Sequence, residues 1–285
     1  MEYYIISLMT VASLNVMLAV GLNLISGFCG QISLGHAAFY GVGAYAAALM
    51  AVSDAPFAVN LMTGLVAAGF AGFIVGFAAL RVRDDFLAIA TMGVGFLFLG
   101  FVRKQEWLGA EMGISQIPAP PLDRFGFAIL CVVLALATIV VSLYIRRSWM
   151  GTALRAVAQD EDAARSIGIN VAHFKLAAFT IGTAAAGLAG GLYAYMTQLI
   201  VPDAFNFVQS ITILAMVVIG GIGSTWGVVA GAIILTLMPE LFRFINDYKL
   251  LVYGLLLLAV MRFYPGGLAA ISTRLSTRLL ARFRS

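Results

Sequence analysis

The sequence predicts an all-α polytopic membrane protein of about eight to nine transmembrane helices, with glycine-interrupted half-helices and one further helix outside the bilayer. Three observations carry that reading. Of 285 residues, 62% are hydrophobic and 11% charged, far from the roughly 45–50% apolar and about 25% charged mix of soluble domains. The mean hydropathy is +1.01. The apolar residues also fall into successive runs, some separated only by very short turns. A soluble protein is excluded, and 30 glycines with 12 methionines suit helices that approach closely in lipid.

A span needs roughly 20 apolar residues to cross about 30 Å of hydrocarbon. Runs that meet or approach this length are predicted at 3–25, 33–50, 59–80, 86–102, 125–145 and 174–199. Two short runs follow at 208–219 and 228–242, then a last one at 250–263. The first run lacks a basic leader and a small-residue cleavage site, so it is read as a retained span.

Basic residues orient such a chain, because Lys and Arg collect in cytoplasmic loops. They cluster at Arg81 and Arg83, at Arg146, Arg147, Arg155 and Arg165, and at Arg274, Arg278, Arg282 and Arg284. The expectation is a multi-pass membrane protein with its N-terminus outside and its C-terminus inside. Arg103, Lys104 and Arg124 fall on the opposite side and weaken the contrast. The pI of about 9.2 reflects these bursts and does not indicate a nucleic-acid partner.

The longest polar connection is 146–173. Within it, 152–167 is rich in helix formers and ends at Gly168, which predicts a helix outside the bilayer.

Two places interrupt the apolar pattern in the same manner. The first runs Gly27-Phe28-Cys29-Gly30-Gln31-Ile32-Ser33-Leu34-Gly35-His36, and the second Gly220-Gly221-Ile222-Gly223-Ser224-Thr225-Trp226-Gly227. Non-helical backbone is tolerated at membrane depth only where it is buried or lines a watery cavity. A pair of glycine-interrupted segments in the two halves of a transporter points to its pathway. The alternative is two tight turns between helices. Asn23, Gly27, Gly30, Gln31, Ser33, Gly35, His36, Gly220, Gly221, Gly223 and Ser224 are the candidate pathway residues. Asn15, two turns before Asn23, is expected to hydrogen-bond a neighbouring helix, and Tyr193 and Tyr195 are expected to anchor a membrane interface.

No catalytic constellation is visible. The two histidines, His36 and His173, are far apart, and Cys29 and Cys131 have no CxxC partner, so no metal site, cofactor or disulfide is assigned. There is no GxxxxGK[ST] loop to hold nucleotide phosphates. The spans are nearly free of ionisable residues, which disfavours proton coupling.

The stretch Gly21-Leu22-Asn23-Leu24-Ile25-Ser26-Gly27, with Gly30-Gln31-Ile32-Ser33-Leu34-Gly35-His36-Ala37-Ala38-Phe39, resembles the opening motif of the branched-chain amino acid ABC transporter permeases, most closely their LivM branch. Met150-Gly151-Thr152-Ala153-Leu154-Arg155-Ala156-Val157 and Asp160 to Ile169 support it, and Asp162-Ala163-Ala164 with Gly168 fits the EAAxxxG pattern with aspartate for glutamate. Val218-Ile219-Gly220-Gly221-Ile222-Gly223-Ser224, with Gly227 and Gly231, extends the resemblance to about nine-tenths of the chain. Between the fourth and fifth spans, 107–114 keeps only part of the family's Thr-Gly-Gly-rich outer loop, which leaves the solute open.

The resemblance implies one permease domain, 1–285, with a coupling loop at 146–173 and a basic cytoplasmic tail at 264–285. It implies a non-enzymatic subunit forming half of a pathway for branched-chain amino acids or similar solutes, with urea or short amides, or a stand-alone channel, as alternatives. The implied partners are a second, LivH-like permease, two cytoplasmic ATPase subunits, a periplasmic solute-binding protein and membrane lipid. Gly151, Arg155, Asp160, Glu161, Asp162, Ala163, Ala164 and Gly168 are the residues it places at the ATPase contact.

Overall fold

The computed structural model describes residues 2–79, 84–241, 249–263 and 266–268. Arg81, Arg83 and the basic residues of the expected tail lie outside them. The described residues form eleven α-helices: α1 (Glu2–Asn23), α2 (His36–Val52), α3 (Phe57–Ala79), α4 (Asp84–Lys104), α5 (Arg124–Arg147), α6 (Trp149–Gln159), α7 (Glu161–Ser166), α8 (Val171–Thr197), α9 (Phe207–Gly220), α10 (Thr225–Leu241) and α11 (Lys249–Phe263). Six stretches are long and apolar enough to cross a membrane, in α1, α3, α4, α5, α8 and the run Pro202–Gly220 that ends in α9. Three shorter apolar helices, within α2, α10 and α11, join them. The fold is all-α and polytopic, and each predicted run became a helix.

Caps set several of the boundaries. Asp123 accepts from the Gly126 N–H at the start of α5, Asn170 from His173 at α8, and Asn206 from Gln209 at α9. Arg146 and Arg147 occupy the last turn of α5, where cations complement the helix dipole.

The spans assemble around α8, which packs on α1, α2 and α3. The contact is backbone to backbone. Gly182 lies against the Gly21 carbonyl, Gly187 sits between Gly43 and Gly64, and Gly190 meets the Tyr40 carbonyl. A Cβ at any of these glycines of α8 would overlap its neighbour. Hydroxyls inside the bundle return to their own helix: Thr10, Ser13, Thr138, Thr183 and Thr212 each donate to a carbonyl three or four residues back.

Phe205, in a 3₁₀ turn ahead of α9, fills an aromatic nest with Tyr40, Tyr45, Phe98 and Tyr193. Tyr195 does not anchor an interface. It is 3% exposed, and its hydroxyl accepts from Asn60 Nδ2 at 2.6 Å. Arg103 pairs with Asp203, so its charge is met at its own end of the bundle. Cys29 and Cys131 are buried and form no disulfide.

The helix expected at 152–167 is two helices. Asp160 adopts an extended conformation (φ −160°, ψ 111°), and its carboxylate accepts from the N–H groups of Asp162 and Ala163. It thereby ends α6 and caps α7. Gly168, at φ +87°, then turns the chain toward α8, a conformation that costs glycine least.

Candidate functional site

The first glycine-rich interruption begins where α1 loosens into a wide π turn, Leu24–Phe28. The chain then runs without regular structure to α2 at His36. Gly30 takes φ +76° and packs against Ala158 of α6. Neighbouring elements hold the segment by its backbone. The Leu34 N–H donates to Thr91 Oγ1 of α4 at 3.0 Å, and the Ala37 N–H to Ser210 Oγ of α9 at 3.1 Å. Gly35 lies so close to the Thr91 carbonyl that no side chain fits there.

The second interruption is compact. Gly221 (φ +109°) and Gly223 (φ +82°) turn α9 into α10, and Ser224 caps α10 by accepting from the Gly227 N–H. Gly220 and Gly231 bring the two helices into backbone contact. A tight turn therefore describes the second interruption, whereas the helices flanking the first pack mainly on other partners.

The two interruptions meet. Asn23 Oδ1 accepts from the Gly223 N–H at 2.9 Å, and Gly27 lies against both Asn23 and Gly223. Asn15, one helical stretch away, instead donates to Thr236 Oγ1 of α10 at 2.9 Å, the interhelical bond expected of it.

Around the first interruption, polar side chains are buried without the partners that hydroxyls elsewhere in the bundle find. Asn23 Nδ2, Ser26 Oγ, Gln31 Oε1, Ser33 Oγ and both ring nitrogens of His36 complete no well-formed hydrogen bond. Asn23, Ser33 and His36 have no exposed surface. Buried polar groups are almost always satisfied, and each unpaired one costs roughly 1–3 kcal/mol. Among the described residues, such atoms collect chiefly in this one segment. Thr91, Ser210 and Ser26 belong to the candidate site as well. The sequence signal for them was a hydroxyl within an apolar run, which does not distinguish them from hydroxyls bonded to their own helix.

The same segment is joined to α6 and α7. Leu24, Phe28 and Cys29 share a second apolar core with Ala153, Leu154 and Val157 of α6, Ala164 of α7, and Phe174 of α8. Of the residues expected at a partner contact, Arg155, Asp160, Asp162, Ala163 and Gly168 are exposed, while Gly151 and Ala164 are buried. Glu161 is partly buried and pairs with Lys175 of α8 and with Arg165.

Apolar helices enclosing a buried polar break, tied to a polar helix pair at one end, define a multi-pass membrane permease. The chain belongs to the family described as branched-chain amino acid transport system / permease component, whose profile matches residues 4–261. It is 35% identical over 297 residues to the high-affinity branched-chain amino acid transport system permease protein LivM of Escherichia coli K12, covering 92% of this chain and 69% of that protein. It is 27% identical to LivH of the same organism, over 91% of this chain and 92% of that one. It is 24% identical to a probable LivM of Methanocaldococcus jannaschii, over 73% of this chain and 68% of that one. No solved structure matches.

Proposed function

We propose that the chain forms one half of the membrane pathway of an ATP-binding-cassette importer for branched-chain amino acids, and that the solute passes the junction of the two interruptions. The observation that carries this is the set of buried groups at Asn23 Nδ2, Ser26, Gln31 and Ser33 that find no partner among the described residues, with His36 beside the Leu18 backbone, next to the Asn23–Gly223 bond. These groups, with the backbone of Gly27, Gly30 and Gly35, of which Gly30 is exposed and Gly35 buried, offer donors and acceptors to an ammonium and a carboxylate. Gly220, Gly221 and Ser224 shape the opposing turn. Leu24, Ile25 and Phe28 offer apolar surface to an aliphatic side chain.

In this reading α6 and α7 contact a cytoplasmic ATPase through Arg155, Asp160, Asp162 and Ala163, with Glu161 braced on Lys175. Gly151 and Ala164 keep the pair seated on the second core, and Gly168 sets its exit. Two ATPase subunits hydrolyse the nucleotide, a LivH-like permease completes the pore, and a periplasmic binding protein delivers the solute. The whole chain then acts as one permease domain, with the N-terminus outside and the α6–α7 end in the cytoplasm of a bacterial inner membrane. Names of the relatives support the solute class, and the second core supports the route from α6 to the break.

The test is uptake of labelled leucine, isoleucine and valine, with urea and acetamide as controls, by cells lacking their own importer and supplied with the chain and its neighbouring subunits. Asp162→Ala and Gly168→Val are expected to abolish energised uptake with the protein still in the membrane. Uptake that persists undiminished in both variants would make the chain a channel. Transport of urea in place of leucine would reassign the solute.

A further inference from the structure

The seam between α5 and α10 carries a feature of which the transport reading uses only Arg155. Both helices pack on α1, yet they barely meet each other. Ser142 Oγ and Thr225 Oγ1, 3.2 Å apart, pin them together at the end that carries α6. Farther along, the helices leave a cavity of about 380 Å³ between Leu136 and Ile139 on one wall and Val229 and Ile233 on the other, with Ala12 and Val16 of α1 as its floor. Its lining is almost wholly apolar.

At the pinned end lies a second cavity, of about 470 Å³, of opposite character. Arg146 and Arg147 from the last turn of α5, Arg155 from α6 and Trp226 from the first turn of α10 converge on it, with Leu143 at its base. Among the described residues, no carboxylate forms an ion pair with any of the three arginines. The acids of the neighbouring α7 are engaged elsewhere: Glu161 and Asp162 hold Arg165, and Asp160 caps the helix. Trp226 is 62% exposed, the placement of an indole that sits at a membrane interface.

The two cavities lie along one seam. At 1.5 Å per residue, the distance from Val132 to Arg146 along α5 is roughly 20 Å. One leaflet of a bilayer is about 15 Å of hydrocarbon plus its headgroup layer, so the lengths agree. We propose that this seam binds one anionic phospholipid, its phosphate held by Arg146, Arg147 and Arg155 and an acyl chain laid in the apolar cavity between α5 and α10. Charge complementarity selects the occupant: three arginines that no carboxylate among the described residues pairs with match an anionic headgroup, and basic pockets between membrane helices on the positively charged side commonly hold such lipids. A protein partner would have to bring carboxylates to the same spot.

The inference stands apart from the transported solute. Its test uses the chain isolated with whatever subunits accompany it, in nanodiscs, with Trp107→Phe and Trp149→Phe leaving Trp226 as this chain's sole tryptophan, and with the signal of the same assembly carrying Trp226→Phe subtracted. Quenching of Trp226 is measured with brominated phosphatidylglycerol and with brominated phosphatidylcholine of the same chains. Phosphatidylglycerol is expected to bind at least fivefold more tightly. Arg146→Gln, Arg147→Gln and Arg155→Gln together should bring the ratio near one, while the three Lys substitutions keep most of it. A ratio near one in the protein with all three arginines overturns the proposal. So does a Trp226 that neither lipid quenches, which would mean that another polypeptide covers the seam.

Discussion

Asn23 and Gly223 are 200 positions apart in the chain and are joined by a hydrogen bond of 2.9 Å, from the Gly223 N–H to Asn23 Oδ1. That bond holds two irregular segments in register, one following α1 and the other between α9 and α10. Beside it, Gly27 leaves no space for a side chain, because a Cβ there would occupy the position of the Asn23 carboxamide oxygen.

Asn23→Ala is therefore expected to orphan the Gly223 N–H and to lower stability by about 1–2 kcal/mol, with a larger loss of uptake than of protein. Gly27→Ala should also destabilise. In the double variant the two effects should fall short of their sum, because removing the Asn23 side chain relieves the closer of the two overlaps that a methyl group at position 27 meets, leaving the one with the Gly223 backbone nitrogen. Thermal unfolding in detergent of the two single variants and the double variant measures this; strict additivity would contradict the geometry.

Asn15 provides the contrast. Its bond to Thr236 Oγ1 links two regular helices away from the break, and such bonds average about 0.6 kcal/mol in membrane bundles. Asn15→Leu should shift the unfolding midpoint slightly and leave uptake close to normal. A loss of transport as deep as that of Asn23→Ala would place Asn15 in the pathway too.

Glycines of α8 set the spacing of the first three spans. Gly187→Val would drive a branched side chain into Gly64 and Ala68, and Gly43→Val would meet the α8 backbone at Gly187. Both are expected to reduce the amount of folded protein several-fold on fluorescence-detected size exclusion. Gly93→Ala, on α4 with open space around it, should be tolerated.

The α6–α7 pair separates stability from coupling. Lys175 is 8% exposed and pairs with Glu161, so Glu161→Gln takes a carboxylate away from a largely buried ion pair and should cost more than about 1 kcal/mol. Asp162 is 92% exposed, and Asp162→Asn should cost under about 1 kcal/mol. Asp160→Ala should lose about 1 kcal/mol of cap energy, whereas Asp160→Asn retains it. Hydrogen exchange at 161–166 reads the difference directly.

The spans were legible because hydropathy is a local property: the runs at 3–25 and 125–145 became α1 and α5 with ends shifted by a few residues at most. The split at Asp160 was also written in the chain, since an Asp followed by Glu161 and Asp162 is a helix start signal, but the strong helix formers on either side masked it. Tyr195 looked like an interfacial aromatic, and only the placement of Asn60 on α3 shows why it turns inward. The Asn23–Gly223 bond and the approach of Trp226 to the arginines of α5 and α6 depend on long-range packing, to which no local pattern points. Both glycine-rich interruptions were visible as breaks; that they touch was not.

The order of assembly carries a final consequence. Apart from the turn that follows it, α1 packs chiefly on α5, α8, α9 and α10, all of which leave the ribosome later than α2, α3 and α4. At about 5–20 residues per second, α1 waits roughly 10–35 s for α8 to be made. During that interval Asn15 and Asn23 face lipid or the insertion machinery with none of their final partners. The two asparagines of α1 thus gain their hydrogen-bond partners, Thr236 and Gly223, only after α8 has been made.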